Sequence, residues 1–153
     1  MYDETAKPLF DLQVDAFAHG CNIQGIMNAG IAREFKERYP QMFREYQAYC
    51  RSGDFQLGDT QFYHSPDQNM PHVINVAIQL DLRNGARIEH IKQGLEKVEA
   101  YHAQLGIKTL AMPRMGCGLG GLDWKDVRPI VQDIFRNSNL EVVVSTYESM
   151  HAR

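Results

Sequence analysis

The chain has 153 residues, of which 44% are hydrophobic and 23% charged, and its formal net charge at pH 7 is −3. These values are typical of a soluble globular protein, and we expect one domain over residues 1–153. The slightly acidic balance argues against a broad lysine- and arginine-based nucleic-acid interface, so an anionic ligand is expected to be small. No apolar stretch reaches the ~20 residues of a membrane span, and residues 1–5 lack an export-signal pattern, so we expect a cytoplasmic protein without membrane contact.

The first part of the chain predicts a strand, two helices and a hairpin, in that order. An apolar run over residues 14–19 indicates a buried strand. Apolar residues at four-residue steps predict a helix over 29–39, which a proline interrupts, and a second helix over 41–51. Residues 59–63 and 72–78 predict two strands joined by a turn-rich segment, as in an antiparallel hairpin.

The rest of the chain continues the alternation of helices and strands. A long amphipathic helix is predicted from 88 to near 106, followed by a strand over 107–112, a helix over 124–134 and a strand over 141–147. Strands separated by helices imply parallel neighbours with right-handed crossovers, and the hairpin makes the sheet mixed. The sequence therefore predicts an α/β fold, a three-layer α/β/α sandwich around a mixed, mostly parallel central sheet.

Two glycine-rich segments, residues 22–30 and 116–121, each follow a predicted strand and precede a predicted helix. Glycine lets the backbone approach a ligand closely, and a helix N-terminus offers free N–H groups and a positive dipole end to an anion. Two such loops together predict a diphosphate that is held from both sides.

The residues of both loops resemble those of the macro-domain family. The first match is Ala18-His19-Gly20-Cys21-Asn22 with Ala29-Gly30-Ile31-Ala32, and the second runs from Met112 to Trp124. The resemblance is greatest to the branch that contains terminal ADP-ribose protein glycohydrolase and the ADP-ribose-1″-phosphate phosphatases, and it extends from about residue 9 to 147. It implies ADP-ribose or ADP-ribose-1″-phosphate as the partner molecule, with no cofactor and no metal.

The resemblance also implies which residues contact the ligand. In this family the first loop holds the distal ribose and its neighbouring phosphate, and the second wraps the diphosphate with backbone N–H groups. An asparagine amide both donates and accepts, so Asn22 suits the ribose hydroxyls, although an ordinary turn residue is the alternative. Tyr147 is a candidate for stacking on adenine, with core packing as the alternative. The complete set of expected ligand contacts is Asn22, Gly25, Met27, Asn28, Ala29, Gly30, Ile31, Arg114, Met115, Gly116, Cys117, Gly118, Leu119, Gly120 and Tyr147.

Two residues are candidates for catalysis. His19 ends a predicted parallel strand, where α/β folds place ligands, and an imidazole serves as acid, base or phosphate nucleophile near neutral pH. The alternative is a buried histidine that makes one structural hydrogen bond under the loop. Asp123 is a candidate general acid or base, and its alternative is the N-cap of the helix that begins at Trp124.

The chain departs from the family pattern at several positions. Terminal ADP-ribose protein glycohydrolase has a lysine in the segment that matches Gln79-Leu80-Asp81 and an aspartate where this chain has Gly120, so its covalent route is not expected. Asn28 replaces a usual glycine, which suggests a positive φ at a residue type that tolerates it. Either Asp3 or no residue fills the place of the adenine-contacting aspartate, because Pro8 lies where the closest relatives carry it.

The expected activity is hydrolysis at the distal ribose of ADP-ribose-1″-phosphate, with water or His19 attacking. One alternative is a non-catalytic ADP-ribose reader, which the missing lysine and aspartate favour. Another is removal of ADP-ribose from protein or nucleic acid by substrate-assisted attack of water, in which case nucleic acid enters only as an ADP-ribosylated substrate. A nicotinamide-dependent oxidoreductase is disfavoured, because glycines alone carry that pattern and the chain leaves no room for a second domain.

Overall fold

The computed structural model of the protein describes residues 1–148, which form a six-stranded sheet with helices on both faces. The sheet order is β1-β6-β5-β2-β4-β3, and only the β3–β4 pair is antiparallel. The predicted mixed, mostly parallel sheet is therefore confirmed. In chain order the elements are β1 (Tyr2–Thr5), β2 (Ala16–Asn22), α1 (Gly30–Arg38), α2 (Pro40–Ser52), β3 (Thr60–Tyr63), β4 (His72–Gln79), α3 (Ile88–Tyr101), β5 (Thr109–Pro113), α4 (Trp124–Phe135) and β6 (Glu141–Ser145).

Two apolar cores, one on each face of the sheet, create the three layers. Helices α3 and α4 cover one face with fully buried side chains such as Leu95 and Val131. Helices α1 and α2 cover the other face with Phe35, Met42 and Tyr46. Successive side chains of a strand point to opposite faces, so the buried strand β2 contributes to both cores. The predicted α/β/α sandwich is confirmed.

The helix boundaries follow from local backbone chemistry. Pro40 occupies the first turn of α2, where its missing N–H costs nothing, so it starts the second helix as well as separating it from the first. Gly53 ends α2 in a left-handed conformation with φ of 81°. Helix α3 ends at Tyr101, earlier than its apolar periodicity predicts, because residues 102–106 form turns that close at Gly106 with φ of 74°.

Strand β1 was not predicted from the sequence. Its residues Asp3, Glu4 and Thr5 are polar and give no apolar alternation, yet they pair in parallel with residues 143–145 of β6. A salt bridge of 2.7 Å between Glu4 and Arg128 ties the strand to α4. Strand β6 ends at Ser145, so Tyr147 lies beyond it and not inside it as predicted. No helix among residues 1–148 has the length and apolarity needed to cross a bilayer.

The fold brings three loops to one edge of the sheet. Strands β2, β4, β5 and β6 run parallel, so their carboxyl ends meet there. We call residues 23–29, after β2, the first loop, residues 114–123, after β5, the second loop, and residues 80–87, after β4, the third loop. In open α/β sheets this edge is where ligands bind.

Candidate functional site

The first two loops leave neighbouring strands at the same edge of the sheet. Strand β2 pairs with β5 through Phe17 and Ala111, and both strands continue toward their loops. A Cβ built on Gly20, near the end of β2, would lie 3.1 Å from Cγ of Met115 at the start of the second loop. The two glycine-rich segments therefore begin beside each other at the same edge of the sheet, as clasping one ligand requires.

Asn22 shapes the first loop with its buried side chain. Its Oδ1 accepts from the backbone N–H of Gln24 at 3.0 Å and of Ile26 at 3.3 Å, and its Nδ2 donates to the Ile26 carbonyl at 2.9 Å. The Tyr46 hydroxyl, from α2, lies 2.8 Å from the same Oδ1. The Asn22 amide thus forms the turn, which is the alternative role that the sequence analysis named for it. One of its two N–H groups makes the bond to the Ile26 carbonyl.

The positive φ angles of the first loop belong to glycine alone. Gly25 has φ of 86° and its carbonyl accepts from Nε2 of Gln47 at 3.1 Å. Asn28 was expected to take over such an angle, but no non-glycine residue among 1–148 has a positive φ. That expectation is wrong, because Gly30 provides the left-handed residue (φ 61°) two positions later. The side chain of Met27 is buried in the core, so only its backbone faces the loop surface.

The first loop ends at a helix N-terminus. Ala29 is the N-cap of α1 and has no side chain that caps the helix, so the backbone N–H groups of the first turn have no intrahelical acceptor. The first backbone bond of the helix runs from Arg33 N–H to the Ala29 carbonyl at 3.4 Å. The turn that contains Gly30 and Ile31 is therefore a donor site for an anion.

The second loop is compact and presents a row of backbone donors. Leu122 N–H donates to the Gly116 carbonyl at 2.9 Å, and Gly116 adopts φ of 78°. The N–H groups of Gly118, Leu119 and Gly120 donate to no acceptor within residues 1–148. Successive N–H groups in a turn can together bind an anion, so these free donors suit the oxygens of a diphosphate.

Gly120, the position at which the resemblance to terminal ADP-ribose protein glycohydrolase implies an aspartate, has no room for a side chain. A Cβ at this position would lie 2.7 Å from the Gly116 carbonyl oxygen and 2.9 Å from Cβ of Ala86. The contact with backbone cannot be relieved by a side-chain rotation. The packing of the second loop therefore leaves no room for a carboxylate at position 120, and the chain has no acid there.

The third loop lies beside both glycine-rich loops. The sequence analysis singled out this segment only because it lacks the lysine of terminal ADP-ribose protein glycohydrolase. Its Leu82 N–H donates to Oε1 of Gln24 at 3.1 Å, and its Ala86 N–H donates to the Gly120 carbonyl at 2.9 Å. It thus contacts both glycine-rich loops. The leucine side chains at positions 80, 82 and 119 are 48%, 63% and 63% exposed around this edge. A run of apolar and turn-forming residues after a buried strand was the signal available in the sequence.

His19 lies beneath the first loop and not on its surface. The side chain is fully buried, its Nε2 donates to Oδ1 of Asn75 at 2.7 Å, and its ring stacks on Phe35 with centroids 3.9 Å apart. Burial lowers the pKa of the imidazole to about 4, although the bond to Asn75 opposes the shift. This placement matches the structural alternative for His19 and keeps the ring from a ligand at the sheet edge.

Asp123 is the N-cap of α4. Its Oδ1 accepts from the Lys125 N–H at 3.0 Å, which is the capping geometry that the alternative predicted. The side chain also lines an open cavity of about 370 Å³ beside the second loop, together with Arg114, Cys117, Gly121, Leu122, Trp124 and Glu148. The Arg114 guanidinium pairs with Glu148 there. Burial raises the pKa of the Cys117 thiol to about 11, so the thiol is protonated at neutral pH.

The two residues that the sequence analysis considered for adenine lie at the β1–β6 edge of the sheet. Asp3 lies inside β1, and its Oδ1 accepts from the Glu4 N–H, so it does not occupy the place that follows the strand. Tyr147 is half-exposed just after β6. Among residues 1–148 no group of three or more histidine, cysteine, aspartate or glutamate side chains is arranged to hold a metal ion.

A match to a protein-family model identifies the family of this domain. The model described as "Macro domain" matches residues 18–131, which include both glycine-rich loops and the helix between the β hairpin and β5. The chain belongs to the macro-domain family. A solved structure of the macrodomain of Mycobacterium tuberculosis DarG superposes on this macro domain with a TM-score of 0.91 at 29% identity, covering 97% of this chain and 99% of that one.

Two curated relatives of this macro domain have different enzyme names. A "DNA ADP-ribosyl glycohydrolase" of Mycobacterium tuberculosis is 32% identical over 129 residues, which cover 84% of this chain and 37% of that protein. An "ADP-ribose 1''-phosphate phosphatase" of Candida albicans is 30% identical over 137 residues, which cover 83% of this chain and 85% of that protein. The chain thus spans little more than a third of the first relative and most of the second.

Proposed function

We propose that this macro domain binds ADP-ribose and hydrolyses a derivative substituted at C1″ of the distal ribose. The observation that carries the proposal is the pair of donor sets at one edge of the sheet, the N–H groups of residues 118–120 and the first turn of α1. A diphosphate between them meets backbone N–H groups from both sides, and neither set depends on side-chain charge. Hydrolase names among the relatives support the coarse reaction class.

The attacking group in this proposal is water. His19 is buried and bonded to Asn75, Asp123 caps α4, and no side chain is accommodated at Gly120. Each of these placements disfavours an enzyme nucleophile or acid at C1″. The loops instead hold the substrate so that its own phosphate oxygens orient the water, and the rate gain comes from positioning. ADP-ribose-1″-phosphate is the first candidate substrate, and its hydrolysis yields ADP-ribose and inorganic phosphate.

A second candidate substrate is ADP-ribosylated DNA. It is favoured by the likeness to the Mycobacterium tuberculosis DNA ADP-ribosyl glycohydrolase and to the DarG macrodomain structure. The exposed leucines at positions 80, 82 and 119 favour it as well, because an apolar rim suits a nucleobase better than a phosphate group. Both candidates share the same ADP-ribose site, and they differ in the group that leaves C1″.

The deciding experiment incubates the protein with ADP-ribose-1″-phosphate and, separately, with an ADP-ribosylated oligonucleotide. Release of inorganic phosphate supports the first substrate, and release of ADP-ribose from the oligonucleotide supports the second. Calorimetry with free ADP-ribose accompanies both assays. Binding of ADP-ribose without turnover of either substrate overturns the proposed hydrolase activity and leaves a non-catalytic ADP-ribose-binding domain. Absence of ADP-ribose binding overturns the whole proposal.

A further inference from the structure

The third loop is cross-linked by its own hydrogen bonds. Asp81 Oδ1 accepts from the backbone N–H of Arg83 and of Asn84, both at 2.9 Å, and from Nδ2 of Asn84 at 2.8 Å. Nε2 of Gln79 donates to the carbonyls of Asp81 and Asn84 at 2.9 and 2.7 Å. Hydrogen bonds from Asn84 also lower the pKa of the Asp81 carboxyl. Both polar side chains of the segment that matches the missing lysine are therefore occupied in forming the loop.

One end of this loop is hydrogen-bonded to the second loop. Ala86 N–H donates to the Gly120 carbonyl at 2.9 Å, and a Cβ on Gly85 would lie 2.8 Å from that same oxygen. The backbones therefore touch at a place where only glycine fits. The next residue, Arg87, returns to the sheet through a bond from its N–H to the Ile78 carbonyl at 3.1 Å.

The start of the third loop is tied to the first loop by a bond from Ile23 N–H to the Gln79 carbonyl at 3.0 Å, and its tip by one side chain, that of Gln24. Its Oε1 accepts from the Leu82 N–H at 3.1 Å. The backbone of Gln24 is itself held by Asn22, whose Oδ1 lies 2.8 Å from the hydroxyl of the buried Tyr46. A continuous series of hydrogen bonds thus runs from the core of α2, through the first loop, to the tip of the third loop.

We propose that Gln24 is a positioning residue that holds the third loop as a fixed wall beside the distal ribose. This inference rests on the proposed function, because the wall acts on the group attached to C1″. Without this bond the loop keeps its internal hydrogen bonds and its link to the second loop at Ala86, but its tip at Leu82 is no longer held against Gln24. Gln24 touches no reacting atom and acts through Leu82, so its loss impairs positioning of the leaving group more than binding of ADP-ribose.

The first test measures amide hydrogen exchange at Leu82 without ligand. Gln24→Met keeps the bulk of the side chain and removes the acceptor, so exchange at Leu82 accelerates about fivefold, the value of one ordinary hydrogen bond. Gln24→Glu retains a carboxyl acceptor and keeps the protection. Gln104→Met, an exposed glutamine beyond α3, is the control and leaves Leu82 unchanged. Unchanged exchange in Gln24→Met overturns the proposal, even where the protein hydrolyses nothing.

The second test separates positioning from general structure. With ADP-ribose-1″-phosphate, or the ADP-ribosylated oligonucleotide if that is the substrate, Gln24→Met lowers kcat about fivefold while the Kd of ADP-ribose stays within twofold. If the wild type binds without turnover, the hydrolase proposal fails, and the same fivefold loss appears in affinity for ADP-ribose-1″-phosphate but not for ADP-ribose. A parallel loss of ADP-ribose affinity and of thermal stability would show a merely structural role and overturn the inference.

Discussion

Replacing His19 by glutamine removes an imidazole that the fold holds in its neutral form. The folded-state pKa of about 4 lies below the ordinary value of 6.5, so the folded protein binds fewer protons than the unfolded chain between these values. The stability that this histidine contributes is fully present above pH 6.5 and is lost as the pH falls toward 4. Linkage gives a loss of about 3 kcal/mol between pH 7 and pH 4.

Urea unfolding at a series of pH values, followed by circular dichroism, measures this effect. We expect the difference in unfolding free energy between the wild type and His19→Gln to shrink by about 3 kcal/mol from pH 7 to pH 4, because glutamine does not titrate. His90→Gln, which removes a partly exposed histidine from α3, controls for the loss of an imidazole. A wild-type-minus-variant difference that stays constant with pH would refute the reasoning.

The same variant distinguishes a structural from a catalytic His19. We expect folded His19→Gln to keep turnover at pH 7 within about threefold of the wild type, since the ring is buried and stacked on Phe35. A general acid, base or nucleophile contributes 10²-fold or more, so a loss of that size at full folding would contradict the placement of this residue.

Three further substitutions test the loops. Gly120→Ala forces the second loop off the Gly116 carbonyl and weakens ADP-ribose binding tenfold or more by calorimetry; unchanged binding would be inconsistent with the packing at this position. Asp123→Ala removes the N-cap of α4, so we expect it to lower the unfolding free energy measured in urea by about 1 kcal/mol and to retain turnover. Loss of turnover in the folded variant would instead indicate that Asp123 is catalytic. Tyr46→Phe removes one of the donors to Asn22 Oδ1, which keeps the N–H groups of Gln24 and Ile26, and lowers the unfolding free energy by about 1 kcal/mol; an unchanged urea midpoint would exclude this role.

Periodicity was enough to predict the sandwich, because each helix buries one apolar face and the central strands are apolar on both. It missed β1, whose polar residues become a strand only by pairing with β6 at the far end of the chain. Periodicity also could not predict where α3 ends. The apolar pattern continues through Leu105, but the helix stops at Tyr101 and the following turns close at Gly106.

The positions of the two glycine-rich loops were predictable because glycines and strand ends are local signals. The role of the third loop was not, since it depends on contacts of Gln24 with Leu82 and of Gly120 with Ala86 that join distant parts of the chain. His19 shows the same limit. The end of a parallel strand is an active-site position by location, but alternation along β2 turns this side chain into the core under α1.

The most direct test of the account follows backbone amide resonances during titration with ADP-ribose. We expect saturable shifts at Gly118, Leu119 and Gly120 and at Gly30 and Ile31, because these N–H groups receive the diphosphate from the two sides. The opposite edge of the sheet, around the start of β4, should be unaffected. Absence of saturable shifts, or shifts confined to that opposite edge, would contradict the claim that the two loops together hold one diphosphate.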